Sequence, residues 1–507
     1  MKKTAILLMI VTILSKLVGF GREMVLAYYY GTSNISDAYV IALTIPTVIF
    51  AFIGNGIATA YIPLYLKLEK NEGVSRANQY TNNMINLLLF VCTVLIIIVF
   101  VFPEPIVQVF ASGFEGRTLE LAVQFTRISI FGIYFTALIS ILSAFLQIKG
   151  NYVVPALAGF PLNIIVIFSI IISSGGNIFI LAYGILISTV IQLLFLLPAV
   201  YKRSLKYRRI VDFNDKEVKN MLYLALPVIL GVAVNEVNTI VDKTLASQIS
   251  IGGISALNYA QKLNGFVQGI IVGSIGTAMY PMISKNAVEG NLASLKKVLS
   301  ESIVGTSVLV IPCMIGAMSL SRPIIEILFG RGAFDEQAII MTSSALFFYS
   351  IGMIGMGLRN IISRPFYALQ DTKTPMKNAS IGVIMNIALN IILSRYLGIG
   401  GLALATSISS IFIVVLLFIS LRKKIGPFGM KQISISFLKI LFASSIMGGL
   451  AKLSFNYLAA SLSQNLSLLI AIGVGAVSYF VIIYFMKIED VDVIVGAIKK
   501  KLGRGVA

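Results

Sequence analysis

The amino-acid sequence predicts an all-α polytopic membrane protein with 14 transmembrane helices, built as two pseudo-symmetric six-helix lobes plus two C-terminal helices. Three observations predict it. Hydrophobic residues make up 57% of the 507-residue chain and charged residues only 12%, with a mean hydropathy of +0.93, a composition that excludes an ordinary soluble protein. Apolar runs of about 20 residues, each enough for one bilayer crossing, recur from end to end. Short motifs also return in the same order about 220 residues later, as they do where bundles are duplicated.

The first span centres near residue 17, directly after Met1-Lys-Lys. No small-residue cleavage site follows its apolar run, so it reads as a retained helix and not as a signal peptide. Spans centred near 50, 91, 136, 163 and 188 complete a first lobe, 1–201. The stretch 202–219, carrying Lys202, Arg203, Lys206, Arg208, Arg209, Lys216 and Lys219, is the predicted cytoplasmic linker. Spans near 232, 268, 309, 352, 386 and 410 form the second lobe, 220–424. Spans 13 and 14, near 445 and 475, fall outside the repeat in 425–507, and the basic tail ending Lys499 to Arg504 faces anionic headgroups or simply anchors the topology. Loops after even-numbered spans collect the lysines and arginines, while the others are nearly bare apart from Arg117, Arg322, Arg331 and Arg395. By the positive-inside rule both termini are cytoplasmic.

The repeat rests on ordered matches. Pro63 and Pro105 recur as Pro281 and Pro323, each 218 residues on, and Gln147 and Asn163 recur as Gln370 and Asn386, each 223 on. Two parallel homologous bundles imply an axis along the membrane normal and the rocking geometry of alternating access.

Enzymatic chemistry has little material here. The chain has no His, and Cys92 and Cys313 each lie inside an apolar run, which suits neither a disulfide nor a metal site. No Walker loop, dinucleotide turn or zinc motif occurs, so the reading is of a transporter without covalent chemistry and without a cofactor. A net charge of +19 would suggest nucleic acid in a soluble protein, but here it is distributed as topology information.

Charge inside the spans carries the functional reading. Lys16, Arg22 and Glu23 lie in span 1, and each ionisable group costs about 2.5–3.5 kcal/mol at a bilayer centre, so several together imply a polar cavity. At an offset of 220 they align with Glu236, Asp242 and Lys243, with the sign inverted at all three positions. The first lobe would then offer cationic density to an anion and the second anionic density to a cation; structural salt bridges are the alternative. Lys262 in span 8 is a second cation for a phosphate, or a snorkelling lysine. Asp242 with Asn386, Asn390 and Thr406 supplies one carboxylate and neutral oxygens, which suits sodium, while interhelical hydrogen bonding is the bland alternative. Gly54, Gly56, Gly273 and Gly276 read as sites of close packing or bending, without a ligand role.

Several stretches together resemble the MurJ/MviN lipid II flippase family of the multidrug/oligosaccharidyl-lipid/polysaccharide exporter superfamily. They are Ser15 to Glu23 with Gly31 and Ser36-Asp37-Ala38, then Asn258 to Asn264, Phe329 to Phe334, Phe366 to Pro375 and Leu397 to Thr406. The resemblance covers essentially the whole chain. It implies a monomeric multi-pass protein of the bacterial cytoplasmic membrane that moves lipid II, the undecaprenyl-pyrophosphate-linked peptidoglycan precursor, from the inner to the outer leaflet. Spans 13 and 14 would form a groove for the polyprenyl tail. The family's substrate-binding positions match Arg22, Glu23 where Asp is common, Asp37, and Lys262 where Arg is common; a sodium site maps to Asp242, Asn386, Asn390 and Thr406. The chain departs at Phe50-Ala51, where the family carries a basic residue, and Lys16 is the span 1 cation that would take its place. A flippase for another polyprenyl-linked polysaccharide or teichoic-acid precursor, and a multidrug/cation antiporter, are the alternatives; the basic span 1 speaks against the antiporter, and a non-transporting scaffold would tolerate loss of Arg22 and Lys262.

Overall fold

A computed structural model of the chain describes residues 2–203 and 205–486, and the basic tail lies outside the described residues. Among the described residues there is no strand. The chain runs through α1 (Lys2–Tyr30), α2 (Asn34–Glu72), α3 (Val74–Val101), α4 (Pro103–Phe110), α5 (Gly116–Ser129), α6 (Gly132–Ile148), α7 (Val153–Leu157), α8 (Gly159–Ser173) and α9 (Phe179–Tyr201). It continues through α10 (Lys216–Ile249), α11 (Gly253–Val288), α12 (Leu292–Ser319), α13 (Ser321–Phe329), α14 (Glu336–Ile351) and α15 (Met353–Ala368). The last elements are α16 (Lys373–Leu397), α17 (Ile399–Ile425), α18 (Met430–Leu458) and α19 (Gln464–Phe485).

Ten described helices are long and apolar enough to cross a bilayer, and the number reaches 12 when each of two bent pairs counts as one span. The expected 14 therefore stands at ten to twelve by this measure, with α1 and α10 outside it. The bent pairs are α5–α6, with a 44° angle, and α14–α15, with 42°. These breaks sit at equivalent points of the repeat, near residues 130 and 352. At the second, a Cβ on Gly352 would lie 2.5 Å from Ser407 Oγ, so the missing side chain lets α17 pass against the break.

Of the repeated proline stretches, those at Pro63 and Pro281 lie inside α2 and α11, whereas those at Pro105 and Pro323 turn out to be short helices, α4 and α13, which the apolar-run pattern does not show. Their prolines lie in the first turn, where a missing N–H has no intrahelical partner to lose.

Among the described residues the chain forms two compact units, the first running to Ser255 and taking in Arg331–Asp335, the second made of Ala256–Gly330 and of the chain from Glu336 onward. The repeat boundary near 220 and this division fall at different places, because α10 packs along α2 inside the first unit. Lipid tails are as apolar as a leucine side chain, so tight contact rather than water exclusion holds these helices together. In the first unit Tyr61 stacks on Tyr80 with centroids 5.8 Å apart, and its hydroxyl meets Thr81 Oγ1 at 2.8 Å. In the second, Ile283, Leu299, Ile361, Phe366 and Leu421 share one core, and a Cβ on Gly448 of α18 would come within 2.5 Å of Ile315 on α12.

The linker is tied down. Asn83 on α3 pairs both ways with the backbone of Asp212, its Nδ2 donating to the carbonyl and its Oδ1 accepting the N–H, each at 2.8 Å. Asn82 does the same across Lys206 and Arg208 at 3.1 Å, and Asn86 Nδ2 donates to Ile210 O at 2.8 Å. Three carboxamides thus give the strap the hydrogen bonds a neighbouring strand would supply. Asp215 then caps α10 through Glu217 N at 2.9 Å and accepts Arg76 Nη2 at 3.0 Å.

Candidate functional site

Within the first unit, Arg22 and Glu23 are neighbours on α1, and the guanidinium folds back so that Nη2 donates to Glu23 Oε1 at 2.5 Å. Glu23 is buried at 4% exposure, whereas Lys16, one face-repeat earlier, is exposed. The shared stripe expected from their seven-residue spacing therefore spans two environments. Arg22 lines a cavity of about 470 Å³ together with Thr47, Phe50, Ala51, Ser188 and Gln192. Lys16 is not among its lining residues.

Asp37, in the first turn of α2, is 2% exposed and fully engaged. Its Oδ2 accepts Gly252 N at 2.8 Å, and its Oδ1 accepts Ser255 N at 2.8 Å and Ser255 Oγ at 2.7 Å. These are orphan donors at the start of α11, and a carboxylate there complements the helix dipole. Close approach is built into the same end of the unit: Gly252 (φ +80) would place a Cβ 2.5 Å from Thr32 O, and Gly332 (φ +65) one 2.3 Å from Tyr28 O. Asp242 lies half-buried on α10, with Asn238 Nδ2 donating to its Oδ2 at 3.3 Å.

The second unit holds Lys262 and the asparagine pair. Lys262 is exposed on α11, and among the described residues no carboxylate oxygen lies within 4.0 Å of its Nζ. Asn390 Nδ2 donates to Asn386 Oδ1 at 2.8 Å, and Asn386 Nδ2 donates to Thr406 Oγ1 at 3.3 Å. The three expected neutral ligands are thus brought together, linked by hydrogen bonds of the kind that join membrane helices. As a donor set, amide and hydroxyl oxygens with a carboxylate fit a hard cation. Among the described residues no cluster of three His, Cys, Asp or Glu is present.

The lipid II flippase MurJ family profile matches residues 26–473. The chain belongs to the MurJ family. Relatives include a probable lipid II flippase MurJ of Aquifex aeolicus, 29% identical over 492 residues, covering 94% of this chain and 93% of that one. Another, from Thermotoga maritima, is 29% identical over 486 residues, covering 95% and 96%. A solved lipid II flippase MurJ in an inward closed conformation superposes with a TM-score of 0.82 at 30% identity, covering 95% of this chain and 98% of that one. An inward-facing multidrug resistance MATE family transporter shares the fold, with a TM-score of 0.68 at 17% identity over 81% and 94% of the two chains.

Phe50 and Ala51, where the resemblance leads one to expect a basic residue, line the same cavity as Arg22 and are apolar. Two cations escaped the sequence reading, Arg359 and Arg364 on α15. They line a second cavity, of about 410 Å³, with Tyr280 and Asn360. The signal was available, since the rule that singled out Arg22 applies equally to two arginines in one apolar span.

Proposed function

We propose that this member of the MurJ family moves lipid II from the inner to the outer leaflet of the bacterial cytoplasmic membrane, without covalent chemistry and as a monomer. The observation that carries the reading is family membership over residues 26–473; Arg22, just before that stretch, lines a cavity in the first unit and supports it. Arg22 and Lys262 engage the pyrophosphate and sugar, because a guanidinium or ammonium can offset a headgroup's charge where water is scarce. Glu23 orients Arg22 through the 2.5 Å bond. Asp37 acts at one remove, by fixing the start of α11.

Helices α1 and α10 cross the bilayer as well, which brings the spans to 14. They have 29 and 34 residues, about 44 and 51 Å at 1.5 Å per residue, longer than the roughly 30 Å hydrocarbon core. Counting both with the twelve gives 14, an even number that leaves both termini on the cytoplasmic side, as the basic loops require. The repeat is matched by α4 with α13 and by the two bent pairs, which supports two homologous halves alternating access and α18 with α19 as an added pair for the lipid tail. For sodium, what supports Asp242, Asn386, Asn390 and Thr406 is the donor chemistry and the gathering of the last three.

The test is outer-leaflet exposure of lipid II in cells depleted of their own flippase and supplied with this chain or with Arg22→Ala. Restored exposure by the natural chain and loss in the variant is the expected result. Failure of both, with membrane-inserted protein present, would reject lipid II as cargo, and equal success would remove Arg22 from the mechanism.

A further inference from the structure

Arg364 is held in the second unit by neutral groups. Its Nη1 donates to the carbonyl of Gly276 at 2.5 Å, its Nε and Nη2 both reach Asn360 Oδ1 at 3.3 Å, and its guanidinium carbon stands 5.6 Å from the Tyr280 ring centroid. Among the described residues no carboxylate oxygen lies within 4.0 Å of it. A cation in an apolar span ordinarily sits against an anion, because its desolvation is otherwise uncompensated. The cavity of about 410 Å³ beside it is lined by Arg359, Asn360, Ser363, Arg364, Tyr280 and Tyr367 with one methionine, and no acidic residue is in that lining.

The seat is shaped for the guanidinium. A Cβ on Gly276 would lie 2.5 Å from Arg364 Nη2 and 2.6 Å from its central carbon, so the planar group rests where a side chain on α11 would otherwise stand. Gly276 read from the sequence as a packing glycine; here it positions a charge. Asn360, Ser363 and Tyr367 recur at helical spacing on α15, which brings an amide, a hydroxyl and a phenol to one stripe beside the cation. Three guanidinium N–H groups are spent on Gly276 and Asn360, and the rest of the planar fork is left to take an oxyanion with the bidentate geometry that favours Arg over Lys.

We propose that this pocket of the second unit is a binding site for the phosphate of a lipid headgroup, with Arg359 and Arg364 as its cations and Tyr280 and Tyr367 as its aromatic rim. Headgroups of an isoprenoid pyrophosphate and of an anionic phospholipid share this chemistry. The site's existence does not depend on lipid II being the cargo.

The chain has no Trp, so Tyr367→Trp, at a position 46% exposed, places a single indole at the rim. The full chain carrying it, in phosphatidylcholine nanodiscs, is titrated with farnesyl pyrophosphate, dioctanoyl phosphatidylglycerol or inorganic phosphate while indole emission is followed. A saturable change is expected, weakened about tenfold or more by Arg364→Gln or Arg359→Gln and unchanged by Lys285→Gln, which removes equal charge from an exposed position on α11. Gly276→Ala keeps both arginines while displacing one, and is expected to weaken binding too, which preserves the test should an arginine variant fold poorly. Preference for farnesyl pyrophosphate assigns an isoprenoid source, parity with the phospholipid assigns the bulk membrane, and equal binding of inorganic phosphate assigns the anion alone. No saturable change with any probe, or equal affinity in the arginine and Lys285 variants, overturns the site.

Discussion

The Asp37 carboxylate accepts both the backbone N–H and the hydroxyl of Ser255, at 2.8 and 2.7 Å, across 218 residues of chain. With Gly252 N on the other oxygen, one buried side chain satisfies two backbone donors that α11 cannot satisfy itself. Asp37→Ala leaves both donors buried and unpaired, at about 1–3 kcal/mol each. We expect it to lower the unfolding midpoint of the detergent-solubilised protein by the equivalent of about 2–4 kcal/mol. Asp37→Asn should cost less, because its amide oxygen still accepts one bond while its NH₂ faces the other donor. An alanine variant as stable as the natural chain would show that the capping geometry contributes nothing.

The carboxamides of Asn82, Asn83 and Asn86 hold the strap 206–212 on α3. Asn83→Ala removes two bonds of 2.8 Å from the Asp212 backbone, a net loss of about 1–3 kcal/mol. Since about 1.4 kcal/mol is a tenfold change in an opening equilibrium, trypsin should cut at Arg208 or Arg209 about tenfold faster in this variant. Equal cleavage rates would mean that the strap is held by something other than these amides.

Asp371, between α15 and α16, offers a pH test. Burial alone would raise its carboxyl, but the hydrogen bonds from Lys424 Nζ at 2.6 Å and from the backbone and hydroxyl of Thr374 outweigh it and hold the group at about 2. A folded value below the ordinary 3.8 gives stability that is present above about pH 4 and lost as the pH falls towards 2. Unfolding midpoints of the natural chain should therefore converge with those of Asp371→Asn as pH drops from 5 to 2.5. Curves that stay parallel through this window would place the acid sensitivity elsewhere.

The spans were legible because a bilayer fixes the length of an apolar run, and every predicted centre falls inside a helix except 352, which marks the bend between α14 and α15. Helices α4 and α13 were hidden, since eight or nine residues beginning around a proline look like a connection. The charges on α1 were legible as a cavity signal, and Arg22 does line one. Their partners were not: periodicity says which face a residue occupies, never what stands opposite. Asp37 is bonded to residues more than 200 positions away, and Arg364 is seated on a glycine whose role appears only when α11 and α15 are side by side.

Two glycines with nearly the same backbone separate conformational strain from close approach. Gly290 (φ +68) has nothing within 4 Å of a built Cβ, whereas at Gly332 (φ +65) the Cβ would stand 2.3 Å from the Tyr28 carbonyl. That carbonyl also accepts Ala333 N at 2.8 Å, so the loop has little room to retreat without losing the bond. Gly290→Ala should cost only the left-handed penalty of about 1–2 kcal/mol. Gly332→Ala carries that penalty plus a backbone collision, and should cost at least about 1 kcal/mol more, the net worth of the hydrogen bond that must yield. Unfolding midpoints of the two variants measured side by side decide it, because the conformational part cancels in the comparison. Equal loss in both would mean that the 330–334 loop moves off the end of α1 freely.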